Sequence, residues 1–293
     1  MSRSSAPWVG LSLMLGDAFH DAVRPLFDGD EVDVVEWTFD MGWGRPLPAW
    51  LEATLDEFSS RGRLLGHGVS YSVLDASLTD RQPRWLHHLQ VELQRRRYHH
   101  LSEHFGLMGG GNFHLSSPLP IPLSDTAVEV GNSRLRDLAR VARLPVGLEN
   151  LALAFSLSDV QQQGEFLERL LAPVDGFLLL DLHNLYCQAM NFNVSLEELV
   201  DSYPLDRVRE LHLSGGSWSQ PLSHARPVRR DTHDDRVPEE LFQILPTVLR
   251  RCPRVEAVIL ERMDGTIDSA NLSDAANFRA DYRRLRAITR EAG

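Results

Sequence analysis

Eight short runs of apolar or β-branched residues recur along the chain, each followed by a stretch with helical spacing. They are WVGLSLML (8–15), VDVVEWTF (32–39), LLGHGVSYS (64–72), SEHFGLM (102–108), PVGLENLA (145–152), GFLLLDLHN (176–184), VRELHLSGG (208–216) and AVILERM (257–263). A spacing of roughly 30 residues is that of a strand–helix unit repeated. Eight such units predict an α/β fold, a (βα)8 barrel. No linker-like tract rich in Ser, Gly and Pro splits the 293 residues, so the expectation is one barrel domain over 1–293. Helix starts are signalled by Ser158 or Asp159 and by Ser195 ahead of Glu197 and Glu198. Two long loops, 109–125 and 214–236, follow the fourth and seventh runs, and in a barrel both lie on the catalytic face.

The sixth run poses the functional question. A buried strand gains nothing by ending in Asp181 and His183, which strand alternation would project to one side. The other runs answer it. His67 lies in the third and His104 in the fourth, and Glu149 and Asn150 end the fifth. Asn184 follows His183, His212 is near the end of the seventh, and Asp231 and His233 occupy the loop after it. Glu261 ends the eighth. Polar residues at the C-terminal ends of barrel strands converge on one pocket. A catalytic triad needs one histidine and one acid, whereas this set has five histidines and four carboxylates. It contains no lysine for a sugar-phosphate site. Imidazoles and carboxylates without cysteine suit iron, manganese or zinc, and about three to four ligands per ion give two or three ions.

The expected metal ligands are therefore His67, His104, Glu149, Asp181, His183, His212, Asp231, His233 and Glu261, with Glu149 bridging. Asp181, His212 and Glu149 form the catalytic centre. Asn150 and Asn184 are read as metal ligands or as donors that support them, Asn150 as the latter, and both are assigned with Trp218 and Arg229 to substrate contact. A lone histidine is more often a satisfied core or surface residue. That reading is applied to His20, His87, His88, His99, His100, His114 and His224, taken as helix or loop residues. Glu36, Trp37 and Asp40 of the second run either line the pocket or serve the structure.

Composition narrows the class further. A formal charge of −11 argues against a general nucleic-acid binder. The arginines at 95–97 and 283–286 read as solvated helix faces. Two cysteines, Cys187 and Cys252, imply no disulfide framework and fit a reducing cytoplasm, with Cys187 read as a packing residue. The first residues lack a signal-peptide pattern, and no run of about 18 apolar residues occurs, so neither export nor a membrane partner is expected.

The motifs GHGVSYS, SEHF, VGLENLA, LLLDLHNLYCQAMNFN, ELHLSGG, DTHDDRVPEELFQIL and LERMDG, in order from His67 to Asp264, resemble those of the multinuclear non-heme iron oxidative enzymes. That family includes the methanobactin-biosynthesis oxidase and relatives that modify ribosomally made peptides. The resemblance implies a xylose-isomerase-like barrel holding two or three irons of mixed valence, with dioxygen as co-substrate. It also implies oxidation of a residue, often cysteine, on a precursor peptide, frequently presented by a partner protein. The same nine residues would be the ligands. Two departures stand out. Where the family reads His-Leu-Ala-Gly-His, this chain reads His212-Leu-Ser-Gly-Gly216, and His183 stands where the family more often has Asn. The competing classes are a zinc or manganese isomerase or phosphoesterase on the same barrel, and a metal-dependent peptide-binding scaffold.

Overall fold

The strands expected from the apolar runs close on one another. In the computed structural model they are β1 (Trp8–Leu13), β2 (Val34–Trp37), β3 (Leu64–Gly68) and β4 (Leu101–His104), then β5 (Val146–Glu149), β6 (Phe177–Asp181), β7 (Val208–Leu213) and β8 (Ala257–Leu260). All neighbours pair in parallel, and β1 pairs with both β2 and β8, completing the barrel. The structure describes residues 6–76, 79–110, 113–220, 226–268 and 271–292. Helices α1 (Asp17–Asp28), α2 (Ala49–Ser60), α3 (Arg81–Arg95), α4 (Asp125–Ala142), α5 (Leu157–Leu171), α6 (Leu182–Phe192), α7 (Leu196–Asp201), α8 (Glu239–Arg251) and α9 (Leu272–Ala292) accompany the strands. Most of the buried apolar side chains form one core, in which residues such as Leu11, Leu148, Leu180 and Leu211 meet Leu55, Leu135, Leu167 and Leu245 of the helices. Inside the barrel a smaller plug remains, Val34, Leu65, Ala257 and Ile259. Among the described residues no helix is long and apolar enough to cross a membrane.

The sixth strand ends earlier than its apolar run suggests, because a side chain stops it. Asp181 Oδ1 accepts the N–H of Asn184 at 2.6 Å, so the chain turns into α6 directly after β6. His183 is therefore helical and not a strand residue, and the alternation argument for it fails. Ser195 caps α7 as expected, while α5 is capped by Ser156 two residues before the expected Ser158. Both long loops carry hairpins: Leu107–Gly110 pairs with Phe113–Leu119, and Trp218–Ser219 with Val228–Arg229. His224 lies outside the described residues, and His114 belongs to the first hairpin. Of the arginines read as solvated, Arg96 is buried instead, clamped by Glu52, Asp56 and Glu92.

Candidate metal centre

Parallel register sets the height of each side chain. It aligns His104 with Glu149 and Asp181 with His212, so polar residues on adjacent strands face the barrel mouth together. Glu149 Oε2 lies 3.4 Å from His67 Nε2 and 3.3 Å from His104 Nε2. His212 Nδ1 lies 3.2 Å from Glu261 Oε2, and His233 Nδ1 lies 3.7 Å from the same oxygen. Among the described residues four groups have every member offering a ligand atom within 4.8 Å of the others. Two share Glu149, namely His67, His104 and Glu149, and Glu149, Asp181, His212 and Glu261; Glu36, Glu210 and His212, and His99, His100 and Glu256, are the other two.

The atoms that converge are those left without a hydrogen bond. Glu149 Oε2, Asp181 Oδ2, His212 Nδ1 and Glu261 Oε2 are buried without a well-formed hydrogen bond. Buried polar groups are normally satisfied, so a cluster of facing lone pairs is what a cation site requires. The electrostatics agree. Burial, reinforced by the charges of Asp231 and Glu261, pushes the Asp181 carboxyl up to about 7, and burial holds Glu149 well above the ordinary range. Burial also keeps His67 and His104 below the usual imidazole range, hence neutral and able to donate a lone pair. At Glu261 burial works upward, but His212 and His233 outweigh it and draw the carboxyl down to about 2. A divalent ion would offset the repulsion that this packing creates. The donor set, hard oxygens with borderline nitrogens and no thiolate, fits iron, manganese or zinc.

Each imidazole shows which nitrogen is available. His67 Nδ1 is 2.7 Å from Ser102 Oγ, which itself donates to the Gly66 carbonyl, so Nδ1 carries the proton and Nε2 faces Glu149. His104 Nδ1 donates to the Gly68 carbonyl at 3.2 Å, with the same result. His212 reverses the pattern: Nε2 is 3.1 Å from Glu36 Oε2, and Nδ1 faces the cluster. His183 has both nitrogens engaged, Nδ1 with Asp231 Oδ1 at 3.0 Å and Nε2 with Arg229 Nη2 at 3.3 Å. To ligate an ion it would have to release one of them. Asp231 Oδ1 is also 2.8 Å from His233 Nε2, and the loop holding His233 at φ 51° is tied down by Met263 N–H donating to its carbonyl.

Asn150 and Asn184 spend their hydrogen bonds on the ligands. Asn150 both accepts the N–H of Asp181 and donates to its carbonyl, and Asn184 donates to Glu149 Oε1 at 3.2 Å. Asn150→Ala should cost about 1–3 kcal/mol in the metal-free protein by leaving the Asp181 backbone unpaired, read as a lower melting temperature. Trp218 and Arg229 face each other across the second hairpin, with the guanidinium 5.6 Å from the indole centroid. Trp218 is half exposed and Arg229 buried.

The missing histidine at position 216 has a steric explanation. A Cβ on Gly216 would lie 2.0 Å from the Arg230 carbonyl oxygen and 2.8 Å from Cε1 of His183. The His183 ring and the hairpin backbone fill the space that any side chain at 216 would need. Gly216→Ala should therefore destabilise the protein by about 1–3 kcal/mol or more, and thermal denaturation would measure it.

Of three further residues on the inward face, sequence reasoning leaves Glu36 open between pocket and structure, does not assign Glu210, and takes His100 for a helix or loop residue. All are fully buried. His100 enters from the loop before β4 and sets Nε2 2.8 Å from Glu210 Oε2. Strand period two supplied a signal for Glu210, which shares the inward face of β7 with His212. Asp40 proves structural: one oxygen takes hydrogen bonds from Val69 N, Ser70 N, Ser70 Oγ and Trp85 Nε1. Trp37 packs outward in the barrel–helix core.

Comparison with known proteins agrees with this picture. Residues 44–288 match the model of the family described as RiPP precursor modification enzyme MbnB/TglH/ChrH. A UPF0276 protein of Caulobacter vibrioides is 31% identical over 248 residues, covering 84% of this chain and 83% of the relative. One from Rhizorhabdus wittichii is 28% identical, covering 96% of each chain. Among solved structures, the IOLI protein with a zinc atom superposes with a TM-score of 0.61 at 10% identity, covering 98% of this chain and 99% of that one. A xylose isomerase domain protein of Salmonella typhimurium gives 0.59 at 16% identity, covering 94% and 96%. At such identities the structural likenesses establish the xylose-isomerase-like barrel and nothing beyond it.

Proposed function

The chain belongs to the RiPP precursor modification enzyme family MbnB/TglH/ChrH, and from that premise we propose that it is a two- or three-iron, dioxygen-dependent oxidase acting on a ribosomally made precursor peptide. The observation that carries this reading is the set of unpartnered carboxylate oxygens and oriented imidazoles converging at the barrel mouth. His67, His104 and Glu149 would hold one ion, and Glu149, Asp181, His212 and Glu261 a second. Asp231 and His233 would complete a third position, with His183 joining them if it releases a partner. When bound, iron supplies one-electron chemistry toward dioxygen and open positions for a substrate thiolate or carboxylate.

The protein's own contribution is orientation and exclusion. Ser102, the Gly68 carbonyl and Glu36 fix the ring faces of His67, His104 and His212. Asn150 and Asn184 hold Asp181 and Glu149. The inner plug beneath the cluster keeps water from entering through the barrel floor. Around the mouth, Leu153 and Phe155 after β5, Trp218 after β7 and Met263 after β8 are exposed apolar residues, a surface suited to an extended peptide and to a partner protein presenting it. Arg226 and Arg230, exposed beside the second hairpin, would meet acidic positions on the peptide, while buried Arg229 faces His183 beneath them. The chain has no lysine, which removes the usual base and Schiff-base former of sugar chemistry. Cys187 and Cys252 are both buried thiols, consistent with action in a reducing cytoplasm.

The test is anaerobic purification followed by elemental analysis and Mössbauer spectroscopy, then exposure to dioxygen with cysteine-bearing peptides encoded beside the gene. Two to three irons per chain and peptide-dependent oxygen consumption are expected. Zinc or manganese alone, with no iron taken up on reconstitution, would transfer the assignment to a metal-dependent isomerase or phosphoesterase.

A further inference from the structure

The interior of a barrel of this kind is ordinarily filled by layers of branched aliphatic side chains. Here half of it follows the rule, with Val34, Leu65, Ala257 and Ile259 packed together. The other half carries Glu36, Glu210 and His100 at zero exposure, below the ligands and out of reach of solvent. Burying charge in such a place is costly unless each group is paired, so a barrel that needed only stability would have used aliphatic residues. The pairing has one focus. Glu36 Oε2 sits 3.1 Å from Nε2 of His212, Glu210 Oε1 lies 3.6 Å from the same nitrogen, and His100 occupies the other oxygen of Glu210 at 2.8 Å.

His212 differs in this from its neighbours. His67 and His104 are steered by a hydroxyl and a carbonyl through Nδ1, whereas His212 is steered by a carboxylate through Nε2. We infer that Glu36 is a positioning residue that fixes His212 as an Nδ1 metal ligand, with Glu210 and His100 backing it inside the barrel. The inference rests on the metal-enzyme reading above. A carboxylate accepting from the distal nitrogen locks the tautomer, sets the ring plane and makes the ligating nitrogen a stronger donor, effects that typically govern metal affinity by about 10–100-fold. Glu36 would thus act on the ion without touching it.

Glu36→Leu and Glu36→Gln separate this role from a structural one. Zn(II) and Fe(II) affinities would be measured by chelator competition on the full chain, beside melting curves of the metal-free proteins. Glu36→Leu should weaken binding of the ion held by His212 by about 10–100-fold. Glu36→Gln keeps an acceptor oxygen and should fall between it and the wild type. The metal-free Leu variant should lose less melting temperature than the loaded one, because His212 retains Glu210 and Glu261 as partners. With Co(II) bound, the visible spectrum should shift in the same order, Leu more than Gln. Unchanged affinity in Glu36→Leu, or a metal-free melting temperature that falls as far as the loaded one, would overturn the inference. A wild-type protein that takes up none of these ions would instead overturn the metal-enzyme reading beneath it.

Discussion

Glu149→Ala is expected to empty both ligand groups at once and reduce peptide oxidation to background. Glu149 is the residue common to the group with His67 and His104 and the group with Asp181, His212 and Glu261. Removing it leaves the first group with two imidazoles and no anion, too few for a tightly held hard cation. The second keeps two carboxylates and one imidazole but loses the one residue it shares with the first. Elemental analysis should fall from at least two ions per chain to below one. His104→Ala, which touches only the first group, should leave one ion in place. The two variants therefore differ in stoichiometry and not merely in activity. Folding should not confuse the comparison: burial holds the Glu149 carboxyl well above its ordinary range, so the metal-free protein carries it at a cost, and Glu149→Ala should melt at or above the wild-type metal-free temperature. Full metal content in Glu149→Ala would rule out the shared-ligand arrangement.

Much of this site could be read before any coordinates because barrel strands announce themselves by period. A polar residue interrupting an apolar run at a strand end has few explanations, and His67, His104, Glu149, Asp181 and His212 were each conspicuous for that reason. His183 was conspicuous too, but its geometry was not legible. Whether the chain continues as a strand after Asp181 depends on one hydrogen bond from Asn184 N–H to the aspartate side chain, a capping choice that competes with extension by about 1 kcal/mol. Glu36 and Asp40 illustrate a second limit. Both are acids near the end of β2, and sequence cannot separate them. Inward parity sends Glu36 to His212, while the turn Phe39–Met41 carries Asp40 to the backbone of the next loop. Gly216 shows a third. A missing histidine reads as a lost ligand, and only the packing reveals that the His183 ring and the Arg230 carbonyl already claim the space.

Stripping the metal should be the largest single perturbation of stability available to this protein. The cluster brings Glu149, Asp181, Asp231 and Glu261 together, and burial, reinforced by the charges of Asp231 and Glu261, already raises the Asp181 carboxyl to about 7 without an ion. In the metal-free state protons must partly supply the charge that ions would supply, so binding exchanges protons for metal and stabilises only the folded chain, in which the ligands meet. An ion at a thousandfold its dissociation constant contributes about 4 kcal/mol, and two such ions about 8 kcal/mol. At about 2–4 °C per kcal/mol, chelation should lower the melting temperature by roughly 15 °C or more, and Fe(II), Mn(II) or Zn(II) should restore it in proportion to affinity. The control is internal. Glu149→Ala should respond to chelator far less than wild type, because both groups that share Glu149 are weakened in it. A wild-type melting temperature indifferent to chelator would mean that hydrogen bonds and protons alone satisfy these lone pairs, a result hard to reconcile with so many buried ligand atoms left unpaired.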